Sequence, residues 1–596
     1  MAETESHESG EQSIDAMSAE FMKIVEKNQD ALNELMKSQQ QTIASMLDPF
    51  NAMDSFTEAA KQLASNPQKL MQANMELWGQ HLELWQHAAQ RMLGQESKPV
   101  AEPAKGDRRF KSPEWDDDHV FDFIRQSYLI TSRWLTNTMS GIEGLSEDDA
   151  RKVQFHTQQL ADAMSPSNFL MTNPQIIKET VESGGQNLIR GMENLKRDLE
   201  AGDGQLKITM ADRDAYEVGR NVATAPGKVV YQNDVVQLIQ YEPSSEMVHR
   251  RPLLIVPPWI NKYYILDLQP ENSFIRWAVD QGYTVFLTSW VNPDSKLATK
   301  TMDDYLNEGI LDSIDAIEKA TGESEVTMIG YCIGGTLTGA ALAYMAAKGD
   351  ERVKAATFFA AQMDFSEAGD LKVFIDEKQL ENLDENMQEK GYLDGDAMYS
   401  AFNLLRSNDL IWSFYVNNYL LGKDPLKFDL LYWNGDTTRM PRTLHMFYLR
   451  EMYLENNLAK SDGISLNSVP IDLGKVTTPI YLQASKEDHI APYNSVFKAK
   501  SLFSGPVRFM LAGSGHIAGV INPPAANKYN YWMNEDQPDD LDQWIAGADS
   551  HPGSWWNDWN RWLAPLSGEM VPARQPGSGG LAVIEDAPGS YAKTRS

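Results

Sequence analysis

One cysteine in 596 residues constrains this chain more than any other feature. Cys332 stands at the centre of Gly330-Tyr331-Cys332-Ile333-Gly334-Gly335. A short apolar run, Val326-Thr327-Met328-Ile329, precedes it, and an Ala-rich helical pattern, Leu337 to Ala347, follows. A nucleophile set Gly-x-Nuc-x-Gly between a strand and a helix sits on a strained turn that exposes its reactive atom. Glycines two residues to either side let the turn close without a Cβ clash. A thiolate held there attacks thioesters and activated esters well. The plainer alternative is a small buried apolar cysteine, and a motif this short does not decide by itself.

The rest of the chain supplies what such a nucleophile needs. In chains built around this turn the order is nucleophile, acid, histidine, each after a strand. Ile480 to Gln483 reads as a strand and is followed by Ser485-Lys486-Glu487-Asp488-His489-Ile490. Val507 to Leu511 reads as the last such strand and leads into Gly513-Ser514-Gly515-His516-Ile517. Asp488 is then the acid that orients His516, and His516 takes the Cys332 proton. A free thiol has a pKa of about 8.5 and is mostly protonated at neutral pH without such a base. His489, beside Asp488, competes for the base position. Its side chain is expected to point away, in a supporting role behind the acid; Glu487 is a weaker rival for Asp488. An oxyanion hole requires two backbone N–H donors. One is that of Ile333, the residue after the nucleophile. The other comes from Val256-Pro257-Pro258-Trp259-Ile260-Asn261-Lys262. Its prolines carry no N–H, which leaves Trp259 or Ile260, with Ile260 preferred.

Composition narrows the function classes. With 53 Lys and Arg against 84 Asp and Glu, the formal charge is −31, which argues against nucleic acid as a partner. No run of 18 apolar residues is present, so no membrane span is expected, and the acidic, polar start is not a secretory signal. A lone cysteine excludes an internal disulfide framework and suits a reducing compartment. No His/Cys cluster has metal-ligand spacing, and no phosphate-binding glycine fingerprint occurs.

Along the chain, residues 1–16 read as a disordered acidic tail and 17–215 as a helical N-terminal domain, with a linker at about 94–112. Apolar residues at helical spacing run from Phe21 to Leu47. A second stripe, Met71, Met75, Trp78, Leu82, Trp85, Ala89 and Met92, alternates steps of four and three, the heptad-like spacing of a surface for a partner helix or an apolar particle. Ordinary helix packing is the plainer account of each stripe. From 216 to 596 short strands alternate with helices, which predicts a mostly parallel sheet covered by helices. The stretch from about 364 to 440 is too long for a crossover and reads as a mainly helical cap.

These segments together resemble the class I polyhydroxyalkanoate synthases, members of the α/β-hydrolase superfamily. The resemblance rests on the Cys332 box, on Pro257 to Leu268, on Glu487-Asp488-His489-Ile490 and on Gly515 to Pro524. It extends to Asp107-Arg108-Arg109-Phe110 with Trp115, Phe428 to Asp436, and Gly553-Ser554-Trp555-Trp556. It implies an α/β-hydrolase fold with an inserted mainly helical cap, preceded by an all-helical domain. It further implies a cytoplasmic, granule-associated acyltransferase that polymerises short-chain (R)-3-hydroxyacyl-CoA. The family acts as homodimers on the polyester granule surface, alongside phasin-type granule proteins. The CoA thioester is its substrate and no cofactor or metal is called for. The alternatives are a cysteine thioesterase, an intracellular polyester depolymerase, and a non-catalytic granule-coating protein.

Overall fold

The computed structural model describes residues 33, 37–40, 53–202, 204 and 206–595. The acidic tail at 1–16 and most of the 21–47 stripe lie outside the described residues. The chain forms two compact units: residues up to Asp212 with Ala401–Leu426, and Arg213–Ser400 with Lys427–Ser596.

The first unit is helical: α1 (Met53–Ser65), α2 (Pro67–Met92), α3 (His119–Ser140), α4 (Glu147–Ala163), α5 (Pro174–Glu182) and α6 (Gln186–Ala201). Side-chain caps mark several starts. The Asp118 carboxylate accepts the amides of Val120 and Phe121 at 2.8 and 3.1 Å, and the Ser146 hydroxyl accepts that of Asp149 at 3.0 Å. Each satisfies a donor the first helical turn leaves open. The stretch between α2 and Glu114 has neither helix nor strand, yet it is fixed in place. Ala101 and Phe110 are buried with Trp115, Leu84 and Leu129, and Gln126 Oε1 accepts the amides of Val100 and Ala101.

Part of the stretch read as a cap belongs to this unit. Trp412, Tyr415 and Tyr419, from the 401–426 segment, fall on one helical face and join Ile176, Leu188 and Leu195 in a single core. The approach is close enough to require glycine: a Cβ at Gly191 would stand 1.8 Å from the Tyr419 carbonyl oxygen. Tyr419 also donates to the buried Asp198 carboxylate at 2.6 Å.

The second unit is built on an 11-stranded sheet. In chain order its strands are β1 (Gly227–Gln232), β2 (Val236–Tyr241), β3 (Leu253–Val256), β4 (Val285–Trp290), β5 (Val326–Tyr331), β6 (Val353–Phe359), β7 (Ile480–Ser485), β8 (Val507–Ala512), β9 (Asn530–Met533), β10 (Asp549–Pro552) and β11 (Glu585–Asp586). They are ordered β10-β9-β8-β7-β6-β5-β3-β4-β2-β1-β11. The centre, from β8 to β4, is parallel, and its strands are apolar on both faces, as helix-covered strands must be. Both flanks are antiparallel, so the sheet is mixed rather than mostly parallel. The flanking strands β9 to β11 are only two to four residues long; β9 alternates half-buried and buried residues, and β10 and β11 bury none. Between β6 and β7 the chain leaves the sheet through the helical segments Glu377–Gln388, Asp429–Asn434, Arg442–Phe447 and Tyr448–Leu454.

Candidate active site

The site forms where the parallel strands end. Cys332 lies between β5 and α7 (Ile333–Lys348) with φ 51° and ψ −125°, a backbone region that costs a non-glycine residue roughly 1–3 kcal/mol. Its surroundings hold it there. The Cys332 amide donates to the Phe359 carbonyl at 2.9 Å, and the Cys332 carbonyl accepts the amides of Gly335 and Thr336 at 2.8 and 3.1 Å. The flanking glycines serve close packing. A Cβ at Gly330 would meet the Gly335 Cα at 2.5 Å, and one at Gly334 would meet the Val256 carbonyl oxygen at 2.4 Å.

That last approach brings the 256–260 loop against the start of α7. Ile333 is the first residue of α7, where an N–H has no partner one turn back. Across from it the loop is pinned on both sides of Ile260. Trp290 Nε1 donates to the Pro257 carbonyl at 2.8 Å, and the Ile260 carbonyl accepts the Thr438 hydroxyl at 2.8 Å. Trp259 turns inward, packed on Trp290 and Tyr305 at ring separations of 5.6 and 5.1 Å, while Ile260 stays half-buried. Two residues on, Lys262 is 3 % exposed and donates to the Ala592 carbonyl at 3.2 Å. Burial holds its amine below the ordinary lysine value, against the pull of Asp436.

Asp488 and His516 meet. Asp488 Oδ2 lies 2.7 Å from His516 Nδ1, and Asp488 Oδ1 accepts the amides of Ile490 and Ala491, both at 2.9 Å. The carboxylate is thereby aimed by the loop that carries it. Glu487, the rival acid, is exposed. His489 is half-buried, and its carbonyl oxygen stands 2.6 Å from where a Gly369 Cβ would be. His516 stacks on Tyr331 with ring centroids 5.9 Å apart and lies within hydrogen-bonding reach of Cys332. Burial disfavours its imidazolium. The Asp488 and Cys332 charges, with hydrogen bonds to both, outweigh that and hold the imidazole well above the ordinary histidine value.

Two tyrosines absent from the sequence reading also feel the charge of the thiol. Tyr448 and Tyr453 are 7 % and 5 % exposed, their rings lie 5.6 Å apart, and both interact electrostatically with Cys332. Burial first, then the neighbouring charges, pushes both phenols well above the ordinary tyrosine range, so they stay neutral donors. They fall after the 364–440 stretch read as the cap, where no spacing points to a site.

The arrangement places a thiol, an imidazole, a carboxylate and a pinned amide loop at the ends of adjacent strands, which suits acyl transfer. Residues 106–278 match the family described as Poly-beta-hydroxybutyrate polymerase (PhaC) N-terminus, and residues 252–523 match the alpha/beta hydrolase fold. The chain is 50 % identical over 553 residues to a poly(3-hydroxyalkanoate) polymerase subunit PhaC of Rhizobium meliloti (strain 1021), covering 93 % of this chain and 90 % of that one. It is 49 % identical to a poly(3-hydroxyalkanoate) polymerase of Methylorubrum extorquens, covering 91 % and 90 %. With the Cupriavidus necator poly(3-hydroxyalkanoate) polymerase subunit PhaC it shares 42 % identity, covering 86 % of each. On similarity of this extent over nearly its whole length, the chain belongs to the poly(3-hydroxyalkanoate) polymerase family, with an α/β-hydrolase fold in its second unit.

Proposed function

We propose that this chain polymerises (R)-3-hydroxyacyl-CoA, short-chain units among them, into polyester with release of CoA, and that Cys332 carries the acyl group. His516 takes the Sγ proton, and the sulfur attacks the thioester carbonyl. The amides of Ile333 and Ile260 hold the oxyanion, and CoA leaves as the thiol with that proton. A 3-hydroxyl group then attacks the acyl-S-Cys332 carbonyl. The C–O bond forms, the C–S bond breaks, and the hydroxyl proton returns to Sγ through His516. Asp488 keeps the imidazole in the tautomer and orientation both steps need. The CoA thioester supplies the acyl group and no cofactor takes part.

The observation that carries this reading is a thiol, in place of the more usual hydroxyl, at the turn served by the His516–Asp488 pair. Exchange between thioesters is nearly balanced, so loading costs little. Passage from thioester to oxoester is downhill and drives growth. A serine would form its oxoester at loading and lose that drive.

The stripe on α2 supports a homodimer and contact with the polyester granule, where phasin-type proteins are further partners. Met71, Met75, Trp78, Leu82, Trp85 and Met92 are 59–74 % exposed. No helix among the described residues is long and apolar enough to cross a membrane, and we place the protein in the cytoplasm on the granule surface.

The test is incubation with (R)-3-hydroxybutyryl-CoA beside Cys332→Ala, following free thiol and the fate of the acyl group. CoA release with insoluble polyester, absent in the variant, is the expected result. Free 3-hydroxybutyrate alone would make the protein a thioesterase. CoA release by Cys332→Ala at the wild-type rate would remove Cys332 from the chemistry.

A further inference from the structure

The loop that carries His516 is held from behind by two neighbouring tryptophans. It is a tight structure in itself: the Gly519 amide donates to the Gly515 carbonyl at 2.8 Å, and those of Val520 and Ile521 to Ile517 at 3.0 and 2.8 Å. Those turns spend the amides and leave the Gly519 and Val520 carbonyls pointing into the protein. Trp555 Nε1 donates to the Gly519 carbonyl at 2.7 Å, and Trp556 Nε1 to the Val520 carbonyl at 2.9 Å. Both indoles are 0 % exposed, so each hydrogen bond is protected from water; losing the Trp555 donor leaves the Gly519 carbonyl short of a buried partner, while the Val520 carbonyl keeps the Asn522 amide at 3.1 Å.

On the other side the loop meets the strand that leads to the acid. A Cβ at Gly519 would stand 2.1 Å from Ser485 Oγ, at the end of β7 and three residues before Asp488. The loop is thus wedged between Ser485 and the indoles. Trp555 reaches further: its ring packs edge-on against Phe359 at 5.1 Å, and the Phe359 carbonyl is the one that accepts the Cys332 amide. One side chain therefore packs on the ring of the residue whose carbonyl anchors the nucleophile and bonds the backbone that carries the histidine.

We propose that Trp555 and Trp556 are positioning residues, a pair of indole N–H donors that set the distance from His516 to Cys332 and Asp488; this rests on His516 being the base. Placement matters at this scale, because a shift of about 1 Å at a reacting group can cost on the order of a hundredfold in rate. The two donors act on successive carbonyls, so the loop is fixed in rotation as well as in position.

Trp559, in the helix Trp556–Leu563 that Trp555 caps, and equally buried, provides the comparison. Its Nε1 donates to Thr357 Oγ1 at 2.9 Å, a bond into the sheet and not into the loop. Trp555→Phe, Trp556→Phe and Trp559→Phe each remove one buried indole donor and keep most of the ring. In the full-length protein, kcat and KM for (R)-3-hydroxybutyryl-CoA are measured well below each variant's Tm. The rate of Cys332 alkylation by iodoacetamide is followed in parallel, with His516→Gln as reference. The expected result is a kcat about tenfold lower for Trp555→Phe and for Trp556→Phe, with KM within twofold and a matching fall in alkylation rate. Trp559→Phe should lose comparable Tm with kcat within twofold of wild type. Equal kcat losses in all three variants, or losses of Tm alone, would overturn the proposal. So would failure of both loop-facing variants to fold where Trp559→Phe folds. If His516→Gln keeps wild-type kcat, it is the assignment of the base that fails, whatever the tryptophan variants do.

Discussion

At Cys332 a strained backbone presents the thiol on which the proposed chemistry rests, and the choice of sulfur is testable. Cys332→Ser keeps the turn and nearly the side-chain volume. It raises the barrier to deprotonation, and it moves the downhill thioester-to-oxoester step to loading, so that chain growth loses its drive. CoA release should fall on the order of a thousandfold with Tm unchanged within a degree or two, read by thiol assay and calorimetry. The second expectation concerns His516, whose imidazolium is favoured in the folded protein by Asp488 and Cys332 against the opposing effect of burial. A folded-state value above the unfolded one, about 6.5, makes the protonated ring stabilising. That contribution is complete below about 6.5 and is lost as pH rises through the folded value. Asp488→Asn removes the carboxylate and leaves burial in charge. The His516 titration followed by NMR should move down, and the stability gap to wild type should be widest on the acid side and close as pH rises. A titration unmoved by the substitution would mean that Asp488 does not set the histidine's charge. Cys332, Asp488 and His516 were legible in the sequence because each follows a strand in a fixed order. Tyr448 and Tyr453 were not, since they come from a helical excursion whose path no local pattern specifies.

At the scale of elements, the central strands declare themselves because burial on both faces demands continuous apolar runs, and β8 begins where the sequence places it, at Val507. The antiparallel strands β9 to β11 do not, because runs of two to four residues are too short to show a period. Contacts between elements leave still less trace. The 401–426 segment looks like any other helical part of the stretch after β6, and only Gly191, where Tyr419 approaches, marks its destination. Gly191→Ala should therefore destabilise the first unit by about 1–3 kcal/mol, the ordinary cost of overpacking, measured by chemical denaturation. Gly334→Ala makes the sharper case. A Cβ there would stand 2.4 and 2.5 Å from the carbonyl oxygens of Val256 and Pro257, and backbone cannot swing aside as a side chain can. The loop that carries Ile260 must retreat from the start of α7. Activity should fall at least tenfold even where the variant remains folded by circular dichroism. An active, wild-type-like Gly334→Ala would show that this contact does not set the site.

For the whole molecule the decisive contrast is between a chain of net charge −31 and one helix face with no charge at all. From Met71 to Leu93 the exposed heptad seam of α2 and its flanking positions carry Met, Leu, Trp, Ala, Gly, Gln, Asn and one His, with no Asp, Glu, Lys or Arg. The acidic residues of α2, Glu76 and Glu83, lie off that seam. Two copies of so acidic a chain repel one another over distances of order the Debye length, about 10 Å at 0.1 M salt. An uncharged seam is where they can approach without adding to that repulsion. Association through α2 should therefore strengthen as NaCl rises from about 0.05 to 0.5 M, opposite to the behaviour of a contact built on ion pairs. The seam itself is apolar, and a buried Trp removes on the order of 200 Å² from water, about 5 kcal/mol at 25 cal/mol per Å². Trp78→Glu with Trp85→Glu loses that twice over and puts like charges on facing helices. Sedimentation velocity should then show monomer at every salt concentration. Both tryptophans lie outside the Cys332 site, so the residual rate of the monomer would measure what association contributes to polymerisation. An unchanged dimer in the double variant would move the contact off α2 and leave its stripe to the polyester surface alone.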